Sequence, residues 1–450
     1  MKAFAATHYR RAVEAMSSLS GKRFNLLVAS SLVATTTIVA AAATSAHDNG
    51  DLAGLVGRTL AANTAPAAPE PSLSPGPAAE PSGPSSPAPV VSEPLASPAP
   101  IEAAEPPPEE EAEKEPAKPV EPPVEAGPIQ HVFVISLASS GYEAAFGAAP
   151  QMPYLATTLR PQGILLSNYS LLDETSLPNA IATISGQPPN AQTREDCPVY
   201  SEFPAGAKAN SRGIVSAAGC LYPVETVTFS DQLIGARLRW HAYMEGMADE
   251  AGQPDSCVQP EPNAPDVPAT GGYAAKLNPF VYFHSLLDLG DCTENDVPLS
   301  ELEGDLRKVE TTSNFNYISP NLCSVGISGQ CPAGAPDGAA AADAFLATWV
   351  PKILSSPAYK KDGLLIVTFG QVNPGALADP AAAAAIGDPP KVGALALSRF
   401  VSPGATDGVA YDPYTLERTF ADLFRLTPLA AAGNKVKSLA PALEGANGGD

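Results

Sequence analysis

From residue 129 onward, short runs of consecutive apolar residues alternate with segments in which apolar residues recur at helical spacing. Continuous apolar runs predict strands buried on both faces of a sheet at 131–137 and 363–369, and further strands are predicted at 163–169, 237–245, 315–319 and 392–400. The helical spacing predicts helices at 153–159, 177–185, 298–308, 339–354 and 416–426. This alternation predicts an α/β sandwich with a mostly parallel central sheet, whose ligands bind at the carboxyl ends of strands.

The N-terminal pattern is different and is typical of export. Region 1–23 carries basic residues, and an uncharged run of Ala, Ser, Thr and apolar residues follows at 24–46. The run is about long enough to span a bilayer. It is only weakly hydrophobic, and Thr44-Ser45-Ala46 offers small residues for cleavage. A cleaved signal peptide and a membrane anchor both remain open, and each exports the rest of the chain.

A linker at 47–128 separates this segment from the domain predicted at 129–428, and a frayed tail is predicted at 429–450. Between 62 and 127 the linker is Pro, Ala, Ser and Glu with almost no large apolar residue, a composition that predicts disorder and polyproline II. Such a segment reaches on the order of 200 Å. It is interpreted as a stalk that lifts the domain from the membrane, the alternative being an unselected spacer.

Charge and cysteine content narrow the classes of function. The chain has 48 acidic and 26 basic residues, a net charge of -22, which argues against binding of nucleic acid or anionic lipid. Six cysteines in an exported chain favour disulfides, and a zinc site is disfavoured because no C-x-x-C pair exists. Chain order favours local bridges, with other pairings open: Cys197 to Cys220, Cys257 to Cys292, and Cys323 to Cys331.

The segment Thr175-Ser176-Leu177-Pro178-Asn179 places hydroxyl groups where a helix is predicted to begin. Backbone N–H groups and the helix dipole favour an anion there, so that Ser176 or Thr175 would lie beside a phosphate. The alternative is that one of these residues only caps the helix, with Pro178 in its first turn.

Several motifs follow one another in a fixed order along the domain. They are His131-Val-Phe-Val-Ile135, Met152-Pro-Tyr-Leu155, Ser176-Leu-Pro-Asn179, Trp240-His-Ala-Tyr-Met-Glu245, Lys276-Leu-Asn-Pro-Phe-Val-Tyr-Phe283 and Ser319-Pro-Asn-Leu-Cys323. Together they resemble the phosphoesterase family that contains bacterial acid phosphatases and phospholipase C enzymes. The resemblance spans about 131–426 and implies an alkaline phosphatase-like fold, with Ser176 at the nucleophile position and with Thr175 and Asn179 beside it.

The departures from the family pattern fall on its chemistry. Glu174 replaces the histidine two residues before the nucleophile position, and Leu277 replaces that of the K-H-N-P stretch. The remaining positions where the resemblance implies carboxylate, amide or imidazole groups hold Ala138, Ser139, Val325, Ile327, Gly370, Gln371 and Pro413. A divalent ion needs several oxygen or imidazole ligands, and a serine hydroxyl is a poor nucleophile without a metal or base.

These substitutions predict a degenerate member of the family that binds or scaffolds in the envelope, with no cofactor or metal. Its expected partners are the membrane, through 24–46, and an envelope or extracellular ligand. One alternative is an active phosphoesterase that uses Ser176, a divalent metal and atypical ligands drawn from Glu143, Asp173 or Glu174. Another is a mechanical envelope element whose functional part is the stalk. His241 and His284 are interpreted as structural.

Overall fold

The structure is a computed structural model that describes residues 128–249, 251–433 and 435–444. The predictions for 1–23, for 24–46 and for the linker up to residue 127 concern residues outside these ranges. Within the described ranges, no helix is both long enough and apolar enough to cross a membrane.

One eight-stranded sheet organises the domain, in the order β4-β3-β5-β1-β6-β7-β2-β8. Its strands are β1 (His131–Ser139), β2 (Ile164–Leu166), β3 (Trp240–Met244), β4 (Asp296–Pro298), β5 (Phe315–Ser319), β6 (Gly363–Val372), β7 (Ala394–Ser398) and β8 (Thr406–Asp407). β7 is antiparallel to both of its neighbours, and all other pairs are parallel. The predicted α/β class with a mostly parallel sheet is confirmed.

The centre of the sheet is the pair β1 and β6. Every residue of β6 is buried, as a continuous apolar run predicts for a strand covered on both faces. The pairing shifts near the carboxyl end, where Leu137 pairs with Phe369 and Ala138 pairs with Gln371. Gly370 is the extra residue of this bulge, and a Cβ there would lie 2.5 Å from the Ser136 Oγ.

The helices cover the sheet and follow the strands in the chain. The α-helices are α1 (Tyr142–Phe146), α2 (Ser176–Ser185), α3 (Phe229–Gly235), α4 (His284–Leu287), α5 (Asp291–Asn295), α6 (Leu302–Asp305), α7 (Ala339–Ser355), α8 (Pro357–Asp362), α9 (Pro374–Leu377), α10 (Pro380–Ile386), α11 (Pro413–Phe424) and α12 (Ala440–Glu444). A π-helix spans Tyr154–Leu159, and 3-10 turns span Arg160–Gln162, Thr193–Glu195, Ala275–Leu277, Pro279–Tyr282, Leu299–Glu301 and Ala430–Ala432.

Most predicted elements are present, with boundary changes that have local causes. α2 ends at Ser185, as predicted, and is followed by Gly186, whose φ of 65° suits a glycine after a helix. α11 begins at Pro413, earlier than predicted, because Asp412 and Thr415 form a reciprocal capping box. The segment predicted as one helix at 298–308 is instead a 3-10 turn followed by the short α6. The strand predicted at 163–169 is only three residues long, Ile164–Leu166.

The three predicted local disulfides are confirmed: Cys197–Cys220, Cys257–Cys292 and Cys323–Cys331. At the C-terminus, Leu439 and Leu443 are fully buried although the sequence placed them in a frayed tail. The Leu439 N–H also donates to the Thr419 hydroxyl at 2.8 Å. These contacts attach the segment before residue 445 to the domain.

Candidate functional site

The loop before α2 meets the carboxyl end of β6, and Asn179 joins these two segments. Its Nδ2 donates to the carbonyl oxygens of Asp173, Thr175 and Gly370 at 2.8, 2.7 and 2.9 Å. Its Oδ1 accepts from the Leu172 N–H at 2.8 Å. Each polar atom of this buried amide is therefore engaged by backbone, so Asn179 is a positioning residue for the loop.

Neither of the two hydroxyl groups at the start of α2 accepts a capping hydrogen bond from the helix. Thr175 occupies the capping position, but its side chain accepts no bond from the helix. Its Oγ1 donates instead to the Asp173 Oδ1 at 2.9 Å. Ser176 is the first helical residue and is 4% exposed. Thr175 therefore occupies the N-cap position with Pro178 in the first turn, as the capping alternative predicts, but its side chain makes no hydrogen bond to the helix.

A carboxylate from another segment takes the place that the sequence analysis assigned to a phosphate. Asp196 Oδ1 accepts from the Leu177 N–H at 2.9 Å, at the positive end of the helix dipole. Its other oxygen lies 3.0 Å from the Nζ of Lys276. A phosphate bound to this N–H would have to displace an internal ion pair. The sequence contains no local signal for this arrangement, since residues 177, 196 and 276 are far apart in the chain.

Four of the substituted family positions lie together in space. Ala138, Leu277, Val325 and Ile327 form one buried apolar cluster with Ala274 and Leu322, separate from the main core. The Ala138 N–H donates to the Val325 carbonyl oxygen at 2.8 Å, which ties the end of β1 to the segment after β5. We call these six residues the apolar cluster. Its side chains contain neither oxygen nor nitrogen, so they do not fit a divalent ion.

The remaining substituted positions lie around this cluster. Ser139 is buried, and its Oγ accepts from the Gly141 N–H at 3.0 Å. Pro413, the first residue of α11, lines a narrow cleft together with Asn179 and Gly370. Gln371, at the end of β6, is 4% exposed. Its Nε2 is buried and has no hydrogen-bond partner among the described residues.

A cavity of about 440 Å³ opens beside the apolar cluster. Its lining comprises Glu174, Thr175, Asp196, Pro268, Thr270, Lys276, Leu322, Ile327, Gln330, Gln371, Val372, Pro374 and Leu377. Four residues singled out from the sequence lie in the lining of this one cavity: Glu174, Thr175, Ile327 and Gln371. Leu322 and Ile327 belong also to the apolar cluster, so the cavity borders the substituted positions.

Of the three acids considered as atypical ligands, Glu174 lines this cavity, whereas Asp173 and Glu143 do not, and the two histidines interpreted as structural also lie elsewhere. Glu143 lines a different cavity, of about 290 Å³, next to α1. His241 lies 3.2 Å from Asp305, and burial lowers the pKa of its imidazole. His284 contacts Glu202 and Asp288; burial lowers the pKa of His284, but these contacts raise it overall. No histidine lines the cavity of about 440 Å³.

Two buried acids escaped the sequence analysis because nothing in their local pattern distinguishes them. Burial raises the pKa of Asp296 to about 8, and its carboxyl lies beside the Cys257–Cys292 disulfide. These three residues are the one close group of metal-type ligands in the described ranges, but both sulfurs are bonded to each other. Burial likewise raises the pKa of Glu417 to about 8. Neither acid lies at the candidate site.

No protein-family model matches the chain, and no curated protein sequence matches it. Among solved structures, it is similar to a protein in the alkaline phosphatase superfamily from Vibrio parahaemolyticus, at 14% identity and a TM-score of 0.41, covering 71% of this chain and 72% of that one. It is also similar to a phosphonate monoester hydrolase from Silicibacter pomeroyi, at 11% identity and a TM-score of 0.38, covering 71% and 77%. A lipoteichoic acid synthase from Listeria monocytogenes matches at 10% identity and a TM-score of 0.36, covering 71% and 76%.

Proposed function

We propose that this chain is an exported phosphoesterase-like domain that has lost metal-dependent hydrolysis of phosphate esters and acts as a binding or envelope protein. The observation that carries the proposal is the apolar cluster. The family resemblance implies ligand residues at four of its positions, and the fold brings these four positions together, as a metal centre requires. Their side chains are apolar and pack against one another. A small hydrophobic core therefore occupies the position of the metal centre.

The chemistry of the remaining groups supports the same conclusion. Phosphoryl transfer depends mainly on positioned positive charge, and loss of one stabilising donor typically costs a factor of ~100 or more. Within the described ranges the Ser176 hydroxyl makes no hydrogen bond to a base, and no histidine lines the cavity of about 440 Å³. The cation of the cavity, Lys276, is already paired with Asp196. A serine in this setting is not activated as a nucleophile.

Export and attachment form the second part of the proposal. The basic and uncharged segments at 1–46 are typical of an export signal or anchor, and the three disulfides fit an oxidising compartment. We propose that 62–127 is a stalk between that segment and the domain. The ligand would then be bound outside the cytoplasm.

The test is metal content by mass spectrometry on the purified full chain, with p-nitrophenyl phosphate hydrolysis measured in the same samples. We expect substoichiometric metal and no turnover above a blank, in the presence or absence of added Zn²⁺ or Mn²⁺. Ser176→Ala is the matched variant. Stoichiometric metal together with turnover that disappears in Ser176→Ala would overturn the proposal and establish the active phosphoesterase.

A deletion pair separates the binding role from a mechanical role of the stalk. Removal of 129–428 with 62–127 retained should abolish the cellular phenotype of the gene if the domain binds the ligand. Removal of 62–127 alone should weaken this phenotype only to the extent that the domain must be held away from the membrane. If removal of 62–127 abolishes the phenotype and removal of 129–428 leaves it intact, the function belongs to the stalk.

A further inference from the structure

A carboxyl group lies beside the Cys257–Cys292 disulfide. The Asp296 Oδ2 is 3.8 Å from the Cys292 Sγ, and a carboxyl oxygen of Asp296 lies within 4.8 Å of both sulfur atoms. No other Asp, Glu or His of the described ranges lies so close to both sulfurs of a disulfide. Burying an acid is costly, and a structural disulfide does not need one, so this neighbour requires an explanation.

The surroundings of Asp296 keep its carboxyl group neutral. The residue is fully buried, and burial raises its pKa to about 8, so the acid carries its proton at neutral pH. Its Oδ2 accepts a hydrogen bond from the Asn278 Nδ2 at 2.6 Å, whereas its Oδ1 has no partner among the described residues. The same Nδ2 donates to the Tyr273 hydroxyl at 2.9 Å, which fixes the amide. Asp296 is therefore a proton donor that Asn278 holds next to sulfur.

The two cysteines of this disulfide differ in their exposure to solvent. Cys292 is fully buried, whereas Cys257 is half-buried in a segment whose neighbours Asp255 and Gln259 are exposed. In thiol–disulfide exchange, a thiolate attacks one sulfur and expels the other as a thiolate. An external thiolate therefore attacks Cys257, and Cys292 is the leaving group. A small thiol suits a half-buried cysteine better than a thiol on the surface of a folded protein.

The burial of Cys292 gives the neighbouring acid a chemical role. A thiolate expelled at Cys292 would be a charge in surroundings that exclude water, which is costly. Asp296 removes this cost when it gives its proton to the sulfur as the S–S bond breaks. The carboxylate that remains is also buried, but the Asn278 amide already donates to its Oδ2. The new Cys292 S–H supplies a second donor to the same carboxylate.

We propose that Cys257–Cys292 is a thiol-exchange site, at which a low-molecular-weight thiol forms a mixed disulfide with Cys257 while Asp296 protonates Cys292. The small thiolate attacks the Cys257 Sγ and forms a new S–S bond. The Cys257–Cys292 bond breaks, its electron pair goes to the Cys292 sulfur, and that sulfur takes the proton of Asp296. In the reverse step the Cys292 thiol returns this proton, attacks Cys257 and expels the small thiolate. The exchange therefore requires no further oxidant or reductant.

The experiment treats the full chain with millimolar reduced glutathione at neutral pH, stops the reaction with N-ethylmaleimide and locates the modifications by peptide mass spectrometry. We expect glutathione on Cys257 and N-ethylmaleimide on Cys292. Asp296→Asn keeps the shape of the side chain but has no acidic proton. This variant should open Cys257–Cys292 about tenfold more slowly or worse, since a positioned general acid typically contributes ~100-fold or more.

The Cys323–Cys331 disulfide provides a reference in each sample, and Asp337→Asn provides a matched control variant. Asp337 is exposed, and its Oδ1 accepts from the Cys331 N–H at 3.3 Å. The hydrogen bond from the Gly329 N–H lowers the pKa of Asp337, so this carboxylate has no proton to give at neutral pH. Asp337→Asn should not slow the opening of Cys323–Cys331, and Asp296→Asn should leave that rate unchanged.

Three results would overturn the proposal: glutathione on Cys292 instead of Cys257, a parental opening rate in Asp296→Asn, or equal slowing of Cys323–Cys331 in that variant. If Asp296→Asn does not fold, the parent protein still decides. Both cysteines of Cys197–Cys220 are fully buried, so this bridge opens only when the domain unfolds. Opening of Cys257–Cys292 only in step with Cys197–Cys220 would show that no exchange site exists in the folded domain.

These outcomes are independent of the proposed function. The disulfide and Asp296 lie outside the lining of the cavity of about 440 Å³ and outside the apolar cluster. Absent exchange at Cys257 would leave a metal-free and inert domain as it is. Stoichiometric metal with turnover would overturn the proposed function without affecting the exchange site.

Discussion

Val325→Asp restores a carboxylate at a position where the family resemblance implies one, and it tests whether the apolar cluster is truly core. Val325 is 2% exposed and packs among Ala138, Leu277 and Ile327. Truncation to Ala should cost about 2 kcal/mol of unfolding free energy, from lost burial and the remaining cavity. Asp at this position loses the same apolar burial and adds a buried carboxylate that has no partner. In other proteins, leaving a buried charge unpaired by removing its partner typically costs about 3–5 kcal/mol.

The variant should therefore be roughly 5 kcal/mol less stable than the parent at neutral pH. The loss of unfolding free energy should become smaller as the pH falls towards the ordinary pKa of Asp, ~4, because the neutral acid is easier to bury than the carboxylate. Urea denaturation with disulfides intact, followed by tryptophan fluorescence, measures the free energy. If Val325→Asp does not fold, Val325→Thr replaces it, with an expected loss of about 1–3 kcal/mol from its unpaired hydroxyl.

Two results would refute this reasoning. The first is Val325→Asp with a stability equal to that of Val325→Ala, which would show that water or a polar partner reaches the position. The second is recovery of stability on addition of millimolar Zn²⁺ or Mn²⁺, which would show that neighbouring groups complete a metal site. Either result would return the active phosphoesterase to consideration.

Three further outcomes follow from contacts elsewhere in the domain. Because burial raises the pKa of both Asp296 and Glu417 to about 8, their stabilisation is complete below their unfolded pKa and is lost as the pH rises through about 8. Between the unfolded pKa of these acids and pH of about 8, the free energy of unfolding should fall by about 1.4 kcal/mol per pH unit for each group. Asp296→Asn or Glu417→Gln should each reduce the slope of unfolding free energy against pH, measured by urea denaturation at several pH values. An unchanged slope in both variants would contradict the raised pKa of these two acids. Removal of the Cys197–Cys220 bridge, whose cysteines are 23 residues apart, by double Ala substitution should cost about 3 kcal/mol, measured as a shift of the urea midpoint. Asn179→Ala leaves several buried backbone groups unpaired and should cost about 3 kcal/mol or more, whereas Ser176→Ala in the same helix should change stability by less than about 1 kcal/mol. Equal effects of these two substitutions in the same assay would argue against the positioning role of Asn179.

Much of the fold could be predicted because its causes are local. Continuous apolar runs at β1 and β6 identify strands buried on both faces, and helical spacing with Gly186 identifies α2 and its end. The predictions were less accurate where tertiary contacts decide the element. β2 is shorter than its apolar run, and Leu439 and Leu443 are buried by packing that their Ala- and Gly-rich surroundings do not reveal.

The sequence by itself predicted the α/β class, favoured the three local disulfides and showed how few carboxylate or imidazole groups stand at the substituted motif positions. Each of these depends on residue identity and short-range spacing. Only the tertiary structure decided that Ala138, Leu277, Val325 and Ile327 pack together as hydrocarbon. It alone also placed Asp196 at the start of α2 and Gln371 in a cavity. The physical reason is that these contacts join segments far apart in the chain, and the distances between such segments follow from packing of the whole sheet rather than from any local pattern.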